Sequence, residues 1–360
     1  MAALTVETAM ALRRMAAKLL GDYRPPRLQH TAELLADLEG ALGRQSVTGE
    51  WAGLAADITR AIGEGGADAF LRLPPVMKTV HPRIRSRSRD YLRYLLASTR
   101  FSAEIQRALT ESPVGRPLVN PYYPLSSPLL VQHGYHLVRL LEATDLDPAA
   151  LRLVVDFGAG YGSFFRLLRN LGYRERYVIW DLPVMCALQR FYLRNVFPTG
   201  PGRQPPGNLE WLASGEPASA AAVARQCAEQ PSSLFIATWS LSETPLAVRE
   251  RIAPVLGGFT HILCAYQRSF GEHDNVQYFQ SLEKSLPGFD WQHAECPIFR
   301  GNFYLIGRRL LTQAQGRAPP PQAAEVADKN HAFFRDRAGQ EPGSSALNKQ
   351  PLEIGADALE

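Results

Sequence analysis

The chain has 360 residues, of which 46% are hydrophobic and 21% are charged, a composition typical of a globular protein with a substantial core. Its formal net charge of +4 is too small to indicate a nucleic-acid partner. No stretch approaches the roughly 20 apolar residues of a membrane-spanning helix, so we expect no membrane partner. The 4 cysteines lie too far apart for a zinc pattern and favour a reducing, cytoplasmic location, so we predict no metal site.

Residues 1–110 carry helix-type patterns and no strand pattern. Apolar residues recur three and four positions apart, first in LLADLEGAL and then from Trp51 to Ile62, and the glycines of EGGAD end the second helix. We therefore predict a helical N-terminal domain over 1–110. An arginine-rich segment at 83–93 is compatible with two roles, a solvated helix face that pairs with acids elsewhere or a binding surface for an anionic substrate.

Residues 111–145 combine a proline-rich connector with a helix. The proline density of SPVGRPLVNPYYPLSS excludes both a helix and a central strand. A helical pattern then runs from Leu129 to Ala143. We predict that this connector and helix cover the ligand site of the domain that follows them.

Short strand-type runs alternate with helical ones after residue 146. They are LVV, YVIW, LFIA and HILCAY, and such alternation is typical of a parallel sheet with crossover helices. FDWQHAEC, PIFRGN and FYLIG follow, which predicts a terminal antiparallel hairpin with a Gly-Asn turn. We predict an α/β domain over 146–312 and, because the remainder is polar and rich in proline, a disordered tail over 313–360.

A triple-glycine turn follows the first of these runs. Asp156 closes the strand, and Gly158, Gly160 and Gly162 follow at alternate positions before a helical pattern begins. Glycine has no Cβ and tolerates positive φ, so such a turn lets the backbone approach a ligand closely at a helix N-terminus. A dinucleotide-binding turn has the spacing G-x-G-x-x-G, whereas Ser163 stands where its third glycine would be.

A second acidic residue closes the second strand-type run. Asp181 ends YVIWD, and a carboxylate at this place can accept hydrogen bonds from both ribose hydroxyls of a nucleoside ligand. Proteins that bind dinucleotides share this feature with those that bind other adenosine compounds. Asp181 therefore indicates a nucleoside ligand without saying which one.

The glycine turn resembles motif I of class I S-adenosylmethionine-dependent methyltransferases. The resemblance rests on the D-x-G-x-G-x-G spacing and on the terminal hairpin, because the sheet of this class ends with an antiparallel strand. It implies a Rossmann-like, seven-stranded α/β sheet, which the helical domain predicted from the sequence patterns would precede. It also implies S-adenosylmethionine as the cofactor, with the acid of the motif facing its positive amino acid end. The implied cofactor contacts are Asp156, Gly158, Gly160, Gly162, Asp181, Leu182 and Thr238.

Several segments together resemble the sugar O-methyltransferase family of bacterial natural-product and surface-glycan pathways. They are VVDFGAGYGSFFRLL at 154–168, YVIWDLPVMCALQRFYL at 177–193 and FIATWSLSET at 235–244. The resemblance covers residues 130–310. It implies methyl transfer to a hydroxyl of a sugar or of a sugar-containing metabolite.

Methyl transfer to a hydroxyl benefits from a general base, and three residues are candidates. His273 lies after the fifth strand-type run between Glu272 and Asp274, which could hold its ring. Glu243 follows the fourth run, and His133 lies on the helix after the connector. A solvated loop histidine, a carboxylate at a helix N-terminus and a packing histidine are the respective alternatives. The two acids beside His273 could coordinate Mg²⁺, but such loop acids are more often solvated.

Other functions fit parts of the pattern. An O- or N-methyltransferase for a polyketide, phenolic or peptide acceptor would differ only in an acceptor pocket that the sequence does not define. A nicotinamide-dependent oxidoreductase is disfavoured by Ser163 and by the terminal hairpin. A non-catalytic cofactor-binding or scaffold protein is an alternative of another class, because the intact glycines and Asp181 argue against loss of the cofactor but not against loss of the acceptor site. We expect a small-molecule acceptor, and a homo-oligomer is compatible with the sequence.

Overall fold

A computed structural model describes the chain over residues 28–43, 50–80, 87–197, 208–214 and 216–310. The predictions for the segment before residue 28, for the first part of the arginine-rich segment and for the tail lie outside these ranges. None of the helices within them is long and apolar enough to cross a membrane.

The N-terminal part of the described chain consists of helices. A 3-10 helix over Gly66–Arg72 lies among them. The α-helices are α1 (Thr31–Gly43), α2 (Glu50–Gly63), α3 (Pro74–Val80), α4 (Ser88–Ala97) and α5 (Ala103–Ala108).

The connector leads into a long helix, α6 (Pro128–Thr144), close to the predicted bounds. Its start is set by Ser127, whose Oγ accepts a hydrogen bond from the Leu130 N–H at 3.1 Å, and by the proline at its first position. Nearly every residue of α6 is buried, because the helix packs between α4, the sheet and the helix that follows the glycine turn.

The rest of the described chain forms a seven-stranded sheet in the order β3-β2-β1-β4-β5-β9-β8. Its strands are β1 (Leu153–Phe157), β2 (Arg176–Asp181), β3 (Leu209–Ala213), β4 (Ser233–Thr238), β5 (His261–Gln267), β8 (Phe289–Glu295) and β9 (Asn302–Arg309). A separate small hairpin pairs β6 (Ser269–Phe270) with β7 (His273–Asp274). The helices between strands are α7 (Ser163–Asn170), α8 (Pro183–Val196), α9 (Pro217–Ala228), α10 (Leu246–Leu256) and α11 (Asn275–Ser285).

Strands β1 to β5 of this sheet are parallel to one another, and β9 is antiparallel to its two neighbours, β5 and β8. The central strand β1 is buried at every position, because helices cover both faces of the sheet. Its Val155 pairs with Val178 on one side and with Phe235 on the other. The predicted parallel sheet with a terminal antiparallel hairpin is therefore confirmed.

Two details of the sheet differ from the sequence interpretation. The strand β3 was not among the strand-type runs, because it is an edge strand whose five residues are all only half-buried. The hairpin of β8 and β9 is joined by six residues and not by a two-residue Gly-Asn turn. Gly301 has φ 75 at the end of this connection, and Asn302 already belongs to β9.

Two hydrophobic clusters lie on the two faces of the sheet. The first joins the N-terminal helices, the helices α6 to α8 and one face of the strands, and it includes Leu38, Phe70 and Ile179. The second lies between the other face and the helices α9 to α11, and it includes Trp180 and Phe235. Since side chains alternate along a strand, Ile179 and Trp180 belong to opposite clusters.

Candidate active site

The triple-glycine turn joins β1 to α7 at the carboxyl edge of the sheet. Gly158, Gly160 and Gly162 have φ values of 74, 59 and 90, which L side chains rarely adopt. Gly162 is the N-cap residue of α7 and has no side chain with which to cap it. The N–H groups at the start of α7 therefore lie at the edge where ligands bind in open α/β sheets.

The turn is in direct contact with the segment that follows β4. A Cβ on Gly158 would lie 2.1 Å from the Cβ of Ser240, so only glycine fits there. The hydroxyl of Ser240 donates a hydrogen bond to the carbonyl oxygen of Phe157. The ends of β1 and β4 are thereby fixed against each other.

Asp156 lies beneath the glycine turn and is almost completely buried. Its Oδ2 accepts a hydrogen bond from the hydroxyl of Tyr177 on β2 at 2.7 Å. Burial raises the pKa of Asp156 to about 7, although the bond from Tyr177 acts in the opposite direction. The negative charge of Asp181 raises this pKa further.

Asp181 ends β2 and is also buried. Its Oδ1 accepts from the Leu182 N–H at 2.7 Å, and its Oδ2 accepts from Nε2 of Gln189 at 2.6 Å. Burial raises the pKa of Asp181 to about 7 against the effect of these bonds. Leu182 is the N-cap residue of α8 and is partly buried against the first hydrophobic cluster. Thr238, the last residue of β4, is partly exposed beside Ala265 of β5.

Gln189 is a site residue that the sequence interpretation missed. Its Nε2 also donates to the carbonyl oxygen of Gly160 at 2.9 Å, so it joins the glycine turn to Asp181. Its Oε1 is buried and has no hydrogen-bond partner among the described residues. The only sequence signal was a glutamine among the apolar residues of the helix after Asp181.

The N-terminal helices reach this edge of the sheet. A Cβ on Gly160 would lie 3.5 Å from Cγ1 of Val80, at the end of α3. Nε1 of Trp51, on α2, donates to the carbonyl oxygen of Glu243 at 3.3 Å. The glycine turn and the segment after β4 are thus both in contact with the N-terminal helices.

Glu243 ends a 3-10 helix over Ser240–Glu243 that follows β4. Its carboxyl group is partly buried, and its Oε1 accepts from Nε2 of Gln267 at 3.3 Å. Burial raises the pKa of Glu243 to about 7, and the bond from Gln267 opposes this shift. The residue before the 3-10 helix, Trp239, has φ 68, which is unusual for an aromatic residue and marks local backbone strain.

The two candidate histidines have different surroundings. Nδ1 of His133 is 2.7 Å from Oγ of Ser163, the first residue of α7, and the histidine is buried. His273 is partly exposed and lies in the small β6–β7 hairpin, where an open loop was expected. The carboxylate of Asp274 accepts from the Gln277 N–H at 3.0 Å and caps α11.

A second buried histidine lies beside the segment after β4. His136 on α6 is fully buried, and its Nδ1 is 2.5 Å from the hydroxyl of Tyr304. Its Nε2 has no partner among the described residues, and its ring meets that of Trp239 edge-on at 5.4 Å. Burial lowers the pKa of His136 well below its usual value, so the ring is neutral at pH 7.

Metal ligands are not clustered in the described part of the chain. No group of three or more His, Cys, Asp or Glu side chains there is arranged to hold an ion. The two acids beside His273 are exposed. The carboxylate of Asp274 is already engaged as a helix cap.

No protein-family model matches the chain, and no curated protein is similar to it. Solved structures are similar to it at low identity. An O-methyltransferase family protein from Burkholderia thailandensis is 13% identical over 86% of this chain and 100% of its own, with a TM-score of 0.34. The pyocyanin biosynthetic protein PhzM is 13% identical over 73% and 77%, with a TM-score of 0.32. The methyltransferase domain of bacterial CtHen1-C is 10% identical over 50% and 97%, with a TM-score of 0.36.

These sequence identities and TM-scores are too low for the activity of any of these proteins to be assigned to this chain. The class of fold is defined by its own strand order and directions, in which β9 is antiparallel to β5 and lies between it and β8. This arrangement is the Rossmann-like sheet of class I methyltransferases, as the sequence predicted.

Proposed function

We propose that this protein is an S-adenosylmethionine-dependent O-methyltransferase that acts on a hydroxyl of a sugar or a sugar-containing metabolite. One observation carries the proposal. Three glycines in left-handed conformations join β1 to α7, with the buried carboxyl groups of Asp156 and Asp181 beside them. In this proposal the domain over 146–312 performs the reaction, and the parts over 1–110 and 111–145 cover its site.

The residues of the turn fit this cofactor. S-adenosylmethionine supplies a methyl group that its sulfonium activates. We assign the ribose hydroxyls to Asp181, because its carboxylate is held at the strand end by two donors. Asp156 provides negative charge beneath the turn for the positive amino acid end of the cofactor. The Oε1 of Gln189 is buried without a hydrogen-bond partner among the described residues, and in this proposal it accepts a hydrogen bond from the cofactor. Gly158, Gly160, Gly162, Leu182 and Thr238 complete the proposed cofactor contacts.

Glu243 is the general base in this proposal. A base works best when its pKa lies near the working pH, and burial places that of Glu243 at about 7. As a carboxylate it would accept the proton of the acceptor hydroxyl while the methyl group is transferred. His133 and His273 are the other candidates, and His133 already shares a hydrogen bond with Ser163.

The cofactor assignment is tested by measuring ligand binding with calorimetry. We expect the protein to bind S-adenosylmethionine and S-adenosylhomocysteine and to give no signal with NADH. Asp181→Ala and Gly160→Val should abolish this binding and leave the fold intact. The matched controls are Asp290→Ala, at an exposed acid on β8, and Gly172→Val, at a glycine with φ 93 and open space around it. Binding of NADH alone, or normal binding by both site variants, would contradict the assignment.

The sugar acceptor is supported by the three segments that resemble the sugar O-methyltransferase family. It is tested by incubating the protein with methyl-labelled S-adenosylmethionine and separate panels of methyl glycosides, phenols and short peptides. Label in a methyl glycoside is the expected result. Label only in a phenol or a peptide would disprove the sugar assignment and leave methyl transfer standing.

A further inference from the structure

The segments that follow β4 and β5 are joined by a buried arginine. Arg249, in the first turn of α10, is 0% exposed. Its Nε donates to the carbonyl oxygen of Thr244 at 2.8 Å, and its Nη2 donates to that of Ser242 at 2.6 Å. Its Nη1 donates to Oδ1 of Asn275 at 2.8 Å. The two carbonyl groups belong to the residues on either side of Glu243.

Asn275 extends the network to the segment after β5. Its side chain is fully buried, and its Nδ2 donates to the carbonyl oxygen of Gln267 at 2.9 Å. The side chain of Gln267 closes the ring, since its Oε1 accepts from Oγ of Ser242 at 2.8 Å. Its Nε2 donates to Oε1 of Glu243 at 3.3 Å. The carboxyl group of Glu243 is therefore held by an amide that Ser242 bonds directly, on a residue whose backbone Asn275 holds.

The charge of Arg249 is not balanced by a carboxylate within the described residues. All three of its hydrogen-bond acceptors are neutral, and the ring of Tyr278 lies 4.9 Å from its guanidinium carbon. Burial of a cation without a carboxylate costs stability, and an apolar side chain would fill the same space without that cost. In return, the guanidinium holds three acceptors in a fixed arrangement, the two backbone carbonyl groups and the side-chain oxygen of Asn275.

We propose that Arg249 is a positioning residue for Glu243. It fixes the two carbonyl groups that flank Glu243, and through Asn275 it fixes the backbone of Gln267, whose side-chain amide contacts the carboxyl group. A planar guanidinium serves three acceptors in set directions, whereas the ammonium of a lysine is a single point of charge. This inference rests on the proposed function, because it concerns the base of that reaction.

The test compares Arg249→Lys with Arg309→Lys in the full chain. Arg309 is a matched control because its Nε also donates to a backbone carbonyl, that of Phe259 at 2.9 Å, and its guanidinium also lies over an aromatic ring. It is at the opposite edge of the sheet, at the end of β9. The measurements are crystal structures, S-adenosylhomocysteine binding by calorimetry, and label transfer to the methyl glycoside panel.

We expect the carboxyl group of Glu243 to leave Gln267 in the crystal structure of Arg249→Lys. Turnover should fall by about tenfold to a hundredfold, because a displaced base reaches the hydroxyl less often. The KM for S-adenosylmethionine and the affinity for S-adenosylhomocysteine should stay unchanged. Arg309→Lys should match the wild type in all of these measurements.

Asn275→Ala is the second test if Arg249→Lys does not fold, because it keeps the cation and its bonds to the carbonyl groups of Thr244 and Ser242. It removes the link to Gln267 and one acceptor of Arg249. The inference is overturned if Glu243 stays in place in both variants, or if their turnover equals that of Arg309→Lys. A wild-type protein that binds no S-adenosylhomocysteine would instead contradict the proposed function. The position of Glu243 in the crystal structures would still decide the inference in that case.

Discussion

At Gly158 two independent constraints exclude every residue except glycine. The backbone has φ 74, and an added Cβ would lie 2.1 Å from the Cβ of Ser240. The first constraint is local and the second comes from a segment some 80 positions later in the chain. The positive φ was predictable from the spacing of the glycines, whereas the contact with Ser240 depends on tertiary packing.

We expect Gly158→Ala to lower the free energy of unfolding by about 2–5 kcal/mol, the sum of backbone strain and overpacking. Urea unfolding measures the loss. The control is Gly172→Ala, which has φ 93 and no atom within 4 Å of the added Cβ, and it should lose only about 1–2 kcal/mol. Equal losses in the two variants would show that the contact with Ser240 has no effect.

Turnover should depend on the protonation of Glu243. Because its folded pKa is about 7 and its carboxylate is the proposed base, label transfer to the methyl glycoside should rise as the pH increases through about 7. Glu243→Gln should remove this rise and lower turnover by about 10²–10⁴-fold. His273→Ala should keep the rise; if it removes the rise and Glu243→Gln does not, the base is His273.

Among single residues, the sequence predicted those that belong to a motif with a recognisable spacing. The glycines, Asp156 and Asp181 do lie together at one edge of the sheet. Gln189 and Arg249 were missed, because a polar residue in a helix pattern is normally solvent-exposed, and only the structure shows that both are completely buried.

A buried ion pair joins two elements around the glycine turn. Nη2 of Arg166 on α7 lies 2.5 Å from Oε1 of Glu111 at the start of the connector, and their side chains are 5% and 9% exposed. Nη1 of Arg166 also donates to the carbonyl oxygen of Thr110 at 2.7 Å, and the hydroxyl of Tyr161 donates to Glu111 at 3.3 Å. The connector is thus fixed to the turn and to the helix that follows it.

We expect Glu111→Ala to lower the free energy of unfolding by about 3–5 kcal/mol, because it leaves the cation of Arg166 buried without its partner. Glu111→Ala combined with Arg166→Met should lose less than Glu111→Ala alone. The exposed pair of Glu104 and Arg107 is the control, and Glu104→Ala should cost at most about 1 kcal/mol. Similar losses for the buried and exposed acids in urea unfolding would contradict this account.

Among the elements, the buried strands were predictable and the edge strand was not. β1, β2, β4 and β5 are apolar runs because both of their faces are covered. β3 reads LEWLA, with a glutamate in its second position, because its residues are only half-buried. Its place in the sheet comes from pairing with β2, which no local pattern encodes.

Three carboxyl groups with raised pKa values make the stability of the whole molecule depend on pH. The pKa values of Asp156, Asp181 and Glu243 are raised to about 7 in the folded state, against about 4 in an unfolded chain. The folded state therefore binds more protons than the unfolded state between about pH 4 and pH 7. This contribution to stability is fully present below about pH 4 and is lost as the pH rises through 7.

Thermal unfolding of the ligand-free protein should show this dependence. We expect the stability of Asp181→Asn relative to the wild type to rise by on the order of a few kcal/mol between pH 4 and pH 8, because only the wild-type side chain must ionise over this range. The control is Asp290→Asn, at an exposed acid, which should change stability little at either pH. A stability difference between Asp181→Asn and the wild type that is the same at pH 4 and pH 8, or that changes in favour of the wild type as the pH rises, would contradict the raised pKa.

The hydrophobic cluster shared by the N-terminal helices and the sheet limits how such a protein can evolve. Phe70 packs edge-on against Phe191 and Tyr192 of α8, with ring centroids 5.9 and 6.2 Å away. A chimera with N-terminal helices from a relative would have to match all of these contacts at once. For the proposed methyltransferase, new acceptor preferences are therefore easier to reach by single substitutions than by exchange of whole segments.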